Sequence, residues 1–98
     1  MTIQELVDRY LAHCETNAVH CAESATEYRR TLTEFAAAFG SLEVEQAKPF
    51  HLSDWIESHP KWRSTSTRKA HANRVNAVFN WSVKSGRISR NPFAGVSY

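Results

Sequence analysis

Ninety-eight residues with 42% hydrophobic side chains, including three Trp, five Phe and three Tyr, supply the core of one domain and exclude a disordered chain; at this length neither a metal nor a disulfide is needed as a staple. The formal net charge of +2 conceals a division, since residues 1–47 set three bases against eight acids and residues 48–98 set nine bases against two, leaving halves of −5 and +7. No stretch approaches the ~20 apolar residues of a membrane span, and the opening MTIQELVDRY lacks the basic-then-apolar order of a secretory signal, so the expectation is a soluble, cytoplasmic protein with no membrane partner.

Thr2 and Glu5 form a capping box, and Ile3, Leu6, Val7, Tyr10, Leu11 and Cys14 follow at helical spacing, which predicts a first helix over about residues 3–17. Asn17 and the VHCAE segment read as a turn. Ser24 with Glu27 is a second capping box, opening a second helix with Ala25, Tyr28, Leu32, Phe35, Ala36 and Phe39 inward and Gly40 in the stop position. On its outer side lie Arg29, Arg30 and Thr33; apart from Arg9, these arginines are the only bases of the first half. SLEVEQ reads as a connection in which Leu42 and Val44 tuck inward. Pro49 suits the first turn of a third helix, running to about Ser58 with Leu52, Trp55 and Ile56 inward. Pro60 then interrupts it, and the loop HPKWRST leads on.

The longest element lies between Ser64 and Pro92. A hydroxyl run, Ser64 to Thr67, can accept hydrogen bonds from the free N–H groups of a first helical turn. Gly86 marks the far end, with Asn91-Pro92 beyond it. At ~100° per residue, His71, Val75, Val78, Phe79 and Ser82 share one arc. Ser66, Lys69, Asn73, Asn76, Asn80 and Lys84 share the opposite one. Every ionisable side chain from Lys61 to Arg90 other than His71 is basic: Lys61, Arg63, Arg68, Lys69, Arg74, Lys84, Arg87 and Arg90. Such a run is either a solvated cationic face or a surface that meets phosphate. Four helices with short connections and no alternating strand pattern define an all-α four-helix bundle, with the last helix at its centre because Ala70, Ala77 and Trp81 widen its apolar surface.

Catalytic and metal sites find little support. His13-Cys14 and His20-Cys21 hold zinc-ligand chemistry, but the pairs stand seven apart across a predicted helix end rather than three or four apart on one face. The two cysteines are read as small buried or half-buried thiols and do not make a disulfide framework. There is no G-x-S-x-G, Gly-rich phosphate loop or H-E-x-x-H. Asp54 and Glu57 read as a solvated helix face, His71 as a hydrogen-bonded boundary histidine, Trp55 and Trp81 as core, and Trp62 as packing the loop onto the last helix. No cofactor, metal or catalytic residue is expected.

Residues 64–92, with Thr67-Arg68, then Val78-Phe79-Asn80-Trp81-Ser82-Val83, Gly86, Ile88 and Asn91-Pro92, resemble the last helix of the core-binding domain of tyrosine recombinases, the phage-integrase family. The upstream helices TIQELVDRYL, SATEYRRTL and FHLSDWI agree in spacing. The resemblance implies a SAM-like orthogonal bundle that clamps one face of a recombination half-site, with double-stranded DNA and other recombinase protomers on that DNA as partners. It implies a domain over residues 1–90, with 91–98 as a linker toward a catalytic domain absent from the chain. Tyr98 is then not the nucleophile, and the fragment is not an enzyme and is a monomer when isolated.

The same resemblance turns the second and fourth helices to DNA, mapping onto Arg29, Arg30 and Thr33 and onto Ser66, Thr67, Arg68, Lys69, Asn73 and Asn76. The chemistry is compatible: a helix N-terminus with hydroxyls and cations suits phosphate, and Asn73 and Asn76 lie one turn on, where base edges would be read. Lys61, Arg63, Arg87 and Arg90 are assigned to backbone contacts. A helical protein-interaction module, docking through the acidic half, is the alternative from another class. A helix-turn-helix regulator fits less well, because the loop before the last helix exceeds the ~3–4-residue turn of that motif.

Overall fold

In the computed structural model, which describes residues 1–17 and 22–96, the helices are α1 (Ile3–Asn17), α2 (Ala22–Phe39), α3 (Pro49–Glu57) and α4 (Thr65–Lys84), with a 3₁₀ turn at Val44–Gln46 between α2 and α3. Among the described residues there is no strand, and the extended pairing is confined to one isolated bridge, Thr2 with Glu43. The all-α bundle expected from the sequence is therefore the observed fold. α4 packs against each of the other three helices, as the breadth of its apolar surface requires.

Each boundary has a local cause. Thr2 Oγ1 accepts the Glu5 N–H at 3.3 Å, opening α1 at the residue its capping pattern marks. α2 begins at Ala22, two residues ahead of the expected cap at Ser24, because Ala22 and Glu23 are good helix formers that extend the helix upstream. Glu27 is thereby released from capping and lies inside the helix. The expected turn over VHCAE and the residues His20 and Cys21 fall largely outside the described residues, as does Tyr98. Pro49 opens α3 at N1, and the His51 imidazole reaches back so that its Nδ1 accepts the Lys48 N–H at 2.9 Å. Ser64 caps α4: its Oγ accepts the Thr67 N–H at 3.1 Å.

The far end of α4 is a Schellman closure. The Gly86 N–H donates to the Val83 carbonyl at 3.1 Å and the Arg87 N–H to the Ser82 carbonyl at 2.9 Å, with Gly86 at φ 81°. Ser82 is fully buried and returns its own hydroxyl to the Val78 carbonyl at 2.8 Å, so this buried hydroxyl is paired.

Ile3, Leu6, Val7, Leu32, Phe35, Leu52, Ile56, Val75, Val78 and Phe79 form the core. Phe35 is its hub, with rings of Trp55 and Phe93 set edge-on at 5.1 and 5.8 Å. Phe93 is fully buried and also meets Phe79 at 4.9 Å, so packing continues past residue 90 into the segment read as linker. Asn91 turns it inward. Its Nδ2 donates to Asn76 Oδ1 at 2.8 Å and to Asn80 Oδ1 at 2.9 Å, while its Oδ1 accepts the Phe93 N–H at 2.8 Å.

Candidate nucleic-acid interface

α4 presents its cationic surface as a stripe. Ser66, Lys69 and Asn73 are exposed, and at ~100° per residue they lie together opposite Val75 and Ser82. Thr67 and Arg68, next to them in sequence, are only half exposed because the cap and the preceding loop engage them. The Ser64 hydroxyl donates to Thr67 Oγ1 at 2.9 Å, and Arg68 Nε donates to the Trp62 carbonyl at 2.8 Å. Of the hydroxyl run, Thr65 and Ser66 therefore remain outward, at a terminus whose free N–H groups and dipole favour an anion.

The α3–α4 loop is fastened against this terminus by aromatic stacking. Trp62 lies face to face with His71 on α4 at 3.5 Å and with His59 at 3.7 Å, and Trp55 meets the edge of the stack at 5.1 Å. Arg63 Nε donates to the Pro60 carbonyl at 3.0 Å. Lys61 and Arg63 are thus exposed on a folded loop beside the start of α4.

α2 contributes from across a polar seam. Thr31 is buried, its Oγ1 accepts from Arg74 Nη1 at 3.3 Å, and it lies 3.2 Å from His71 Nδ1. Arg74 Nη1 also lies 3.5 Å from that Nδ1; a guanidinium only donates, so Nδ1 is the acceptor and the Thr31 hydroxyl donates to it. Burial first, and then the Arg74 charge, push the His71 pKa down to about 4, so the ring is neutral near pH 7. On the same seam Glu27 lies 3.8 Å from Arg30 and 4.0 Å from Arg74.

Not all the expected residues gather here. Arg30 and Thr33 are exposed on α2, whereas Arg29 forms an ion pair with Glu15 of α1 and points to that neighbour. Asn76 is half buried, donates to the Ala72 carbonyl at 3.1 Å and accepts from Asn91, so both ends of its amide are in use. Arg87 sits over the Trp81 ring at 4.4 Å, at the far end of a 20-residue helix about 30 Å long, remote from Lys61 and Arg63. Arg74, outside the expected set, is the cation that joins α4 to α2. Its position one turn from His71 was the available signal, but Thr31 and Glu27, which hold it, are distant in sequence.

Among the described residues no group of His, Cys, Asp and Glu is arranged to hold a metal, and no helix is long and apolar enough to cross a membrane. Cys14 is half buried, and burial raises its thiol pKa, which lowers its thiolate reactivity near neutral pH.

Fold and surface together define a small all-α domain whose longest helix carries cations and no acid, with Arg30 exposed on the helix packed beside it. The chain matches the family model of the phage integrase central domain over residues 3–97 and belongs to that family. It is also similar to a protein of Escherichia coli (strain K12) that carries the name defective protein IntQ, at 28% identity over 113 residues, covering 99% of this chain and 28% of that protein. The chain thus spans just over a quarter of the length of that relative. No solved structure matches it.

Proposed function

We propose that this domain binds duplex DNA as the core-binding part of a tyrosine recombinase, laying α4 and the outer face of α2 on one side of a recombination half-site. The observation that carries this reading is the exposed stripe Ser66, Lys69 and Asn73 at the open terminus of α4, flanked by Lys61 and Arg63 and with no acid between Lys61 and Arg90. Lys61, Arg63 and Lys69 neutralise phosphates, Ser66 and the helix terminus position the backbone, and Asn73 reads a base edge from the major groove. In this reading strand cleavage belongs to a separate catalytic domain of the recombinase, and the part of residues 3–97 is to hold DNA. Other recombinase protomers on the same DNA are the protein partners of this reading.

Fluorescence anisotropy with a labelled duplex over a salt series tests it. With Lys61, Arg63, Lys69 and about two further cations of α2 and α4 on phosphates, log K against log salt has a slope near −4 to −5. A slope near zero, or no binding at low salt, overturns the proposal and favours a helical protein-interaction module working through the acidic residues 1–47.

A further inference from the structure

The Glu27 carboxylate stands between two guanidiniums from different helices. Arg30 Nη1, three residues on along α2, is 3.8 Å from Glu27 Oε1, and Arg74 Nη1 of α4 is 4.0 Å from Oε2. Both distances lie beyond the roughly 2.7–2.9 Å of a charge-assisted hydrogen bond, so the carboxylate balances the charges without saturating either donor set. Arg74 is nonetheless fixed. Its side chain is only 20% exposed, and the buried Thr31 hydroxyl holds it from behind at 3.3 Å. Thr31 is itself anchored by His71, which is stacked on Trp62. Arg30 is 68% exposed and Glu27 47%, so the open side of the group faces solvent. A fixed guanidinium, an exposed one and a weakly held anion between them make a seat for a small group with two anionic oxygens.

We propose that Arg30 and Arg74 form a seat for one DNA backbone phosphate across the α2–α4 seam, and that Glu27 occupies this seat in the free protein and yields it to the phosphate. The inference rests on the reading of the domain as DNA-binding and adds a specific site to it. α2 and α4 are then held to one phosphate together, which fixes the angle at which the Asn73 stripe meets the groove.

The test is a double-mutant cycle on duplex affinity, read by anisotropy over a salt series. Glu27→Gln tightens binding several-fold, and Arg74→Gln weakens it and makes the salt slope shallower by about one. With Arg74→Gln in place the gain from Glu27→Gln falls by about threefold or more. Because Arg74 also supports the seam, the cycle is repeated with Arg30→Gln, an exposed position, and melting temperatures are compared. Glu34→Gln, two turns along the same face of α2, gauges the effect of removing any nearby negative charge. Equal gains from E27Q and E34Q, or additive effects in both cycles, overturn the seat while leaving DNA binding intact. Absence of duplex binding by the unsubstituted chain at low salt overturns the underlying reading instead.

Discussion

His71 on α4 and Trp62 in the preceding loop lie face to face, ring centroids 3.5 Å apart and planes 12° from parallel. The stack joins the loop carrying Lys61 and Arg63 to the helix carrying Lys69 and Asn73. It also buries an imidazole beside Arg74, and both effects disfavour the protonated ring.

The pH dependence of stability follows from that burial. The folded-state pKa of His71 lies at about 4 against 6.5 for the unperturbed group, so between these values the unfolded chain takes up a proton that the folded chain refuses. Stability is full above about pH 6.5, declines as pH falls toward 4, and gains no further penalty from this group below that. His71→Gln removes the titration and retains an acceptor for Thr31. Melting temperature measured from pH 7.5 to 4.5 should fall less steeply in this variant than in the unsubstituted chain; parallel curves would remove His71 as the cause.

Phe93 ties the segment after α4 into the core between Phe35 and Phe79. Phe93→Ala should cost about 3–5 kcal/mol in denaturant unfolding, a large part of what a domain of this size has. Asn91→Ala, which removes the amide holding that segment to Asn76 and Asn80, should cost about 1–3 kcal/mol. A cost below about 0.5 kcal/mol for the Phe93 variant, against the same principle, would mean that residues 91–96 do not contribute to the folded unit.

These cases mark what sequence pattern could resolve. Helical spacing placed α1, α3 and α4 and most of their buried residues, because each inward stripe recurs every three or four residues and each start carries its own cap. Proline and capping residues act locally, so they are visible locally. Phe93 fell in the segment that the family resemblance marks as linker, and a single apolar residue after Asn-Pro has no period that would set it apart; its contacts with Phe35 and Phe79, both distant in sequence, place it in the core. Asn76 shared the polar arc of α4 with Asn73, and nothing local distinguishes an amide that faces solvent from one that meets Asn91. Arg74 was likewise hidden by its partners on α2. The expected cap at Ser24 failed in another way, since a capping pattern only marks a start if the residues before it do not prefer helix.

Gly40 and Gly86 should respond differently to the same substitution. A Cβ at Gly40 would lie 2.3 Å from the Ala36 carbonyl oxygen and 3.0 Å from the Gln4 side-chain oxygen, where the end of α2 crosses the start of α1. Backbone cannot yield cheaply, so Gly40→Ala should cost about 1–3 kcal/mol or more. Gly86 has open space around it but φ near +81°, and Gly86→Ala should cost about 1 kcal/mol through the left-handed backbone alone. Urea unfolding of the two variants gives the order; a larger loss at Gly86 would contradict the crossing geometry.

Three positions on α4 separate positioning, reading and scaffolding. Lys69 is exposed at the start of the helix and should act through charge, so Lys69→Ala weakens every duplex alike and leaves the melting temperature unchanged. Asn73 is exposed on the same stripe, and Asn73→Ala should relax preference for one sequence by about 1–3 kcal/mol, again without loss of stability. Asn76 is engaged by the Ala72 carbonyl and by Asn91, so Asn76→Ala should instead lower stability by about 1–2 kcal/mol and leave sequence preference alone. Parallel measurement of melting temperature and of affinity for selected and random duplexes distinguishes the three roles. A loss of sequence preference in Asn76→Ala at unchanged melting temperature would show that DNA pulls this amide away from Asn91, and equal losses on both duplexes in Asn73→Ala would remove that residue from base reading.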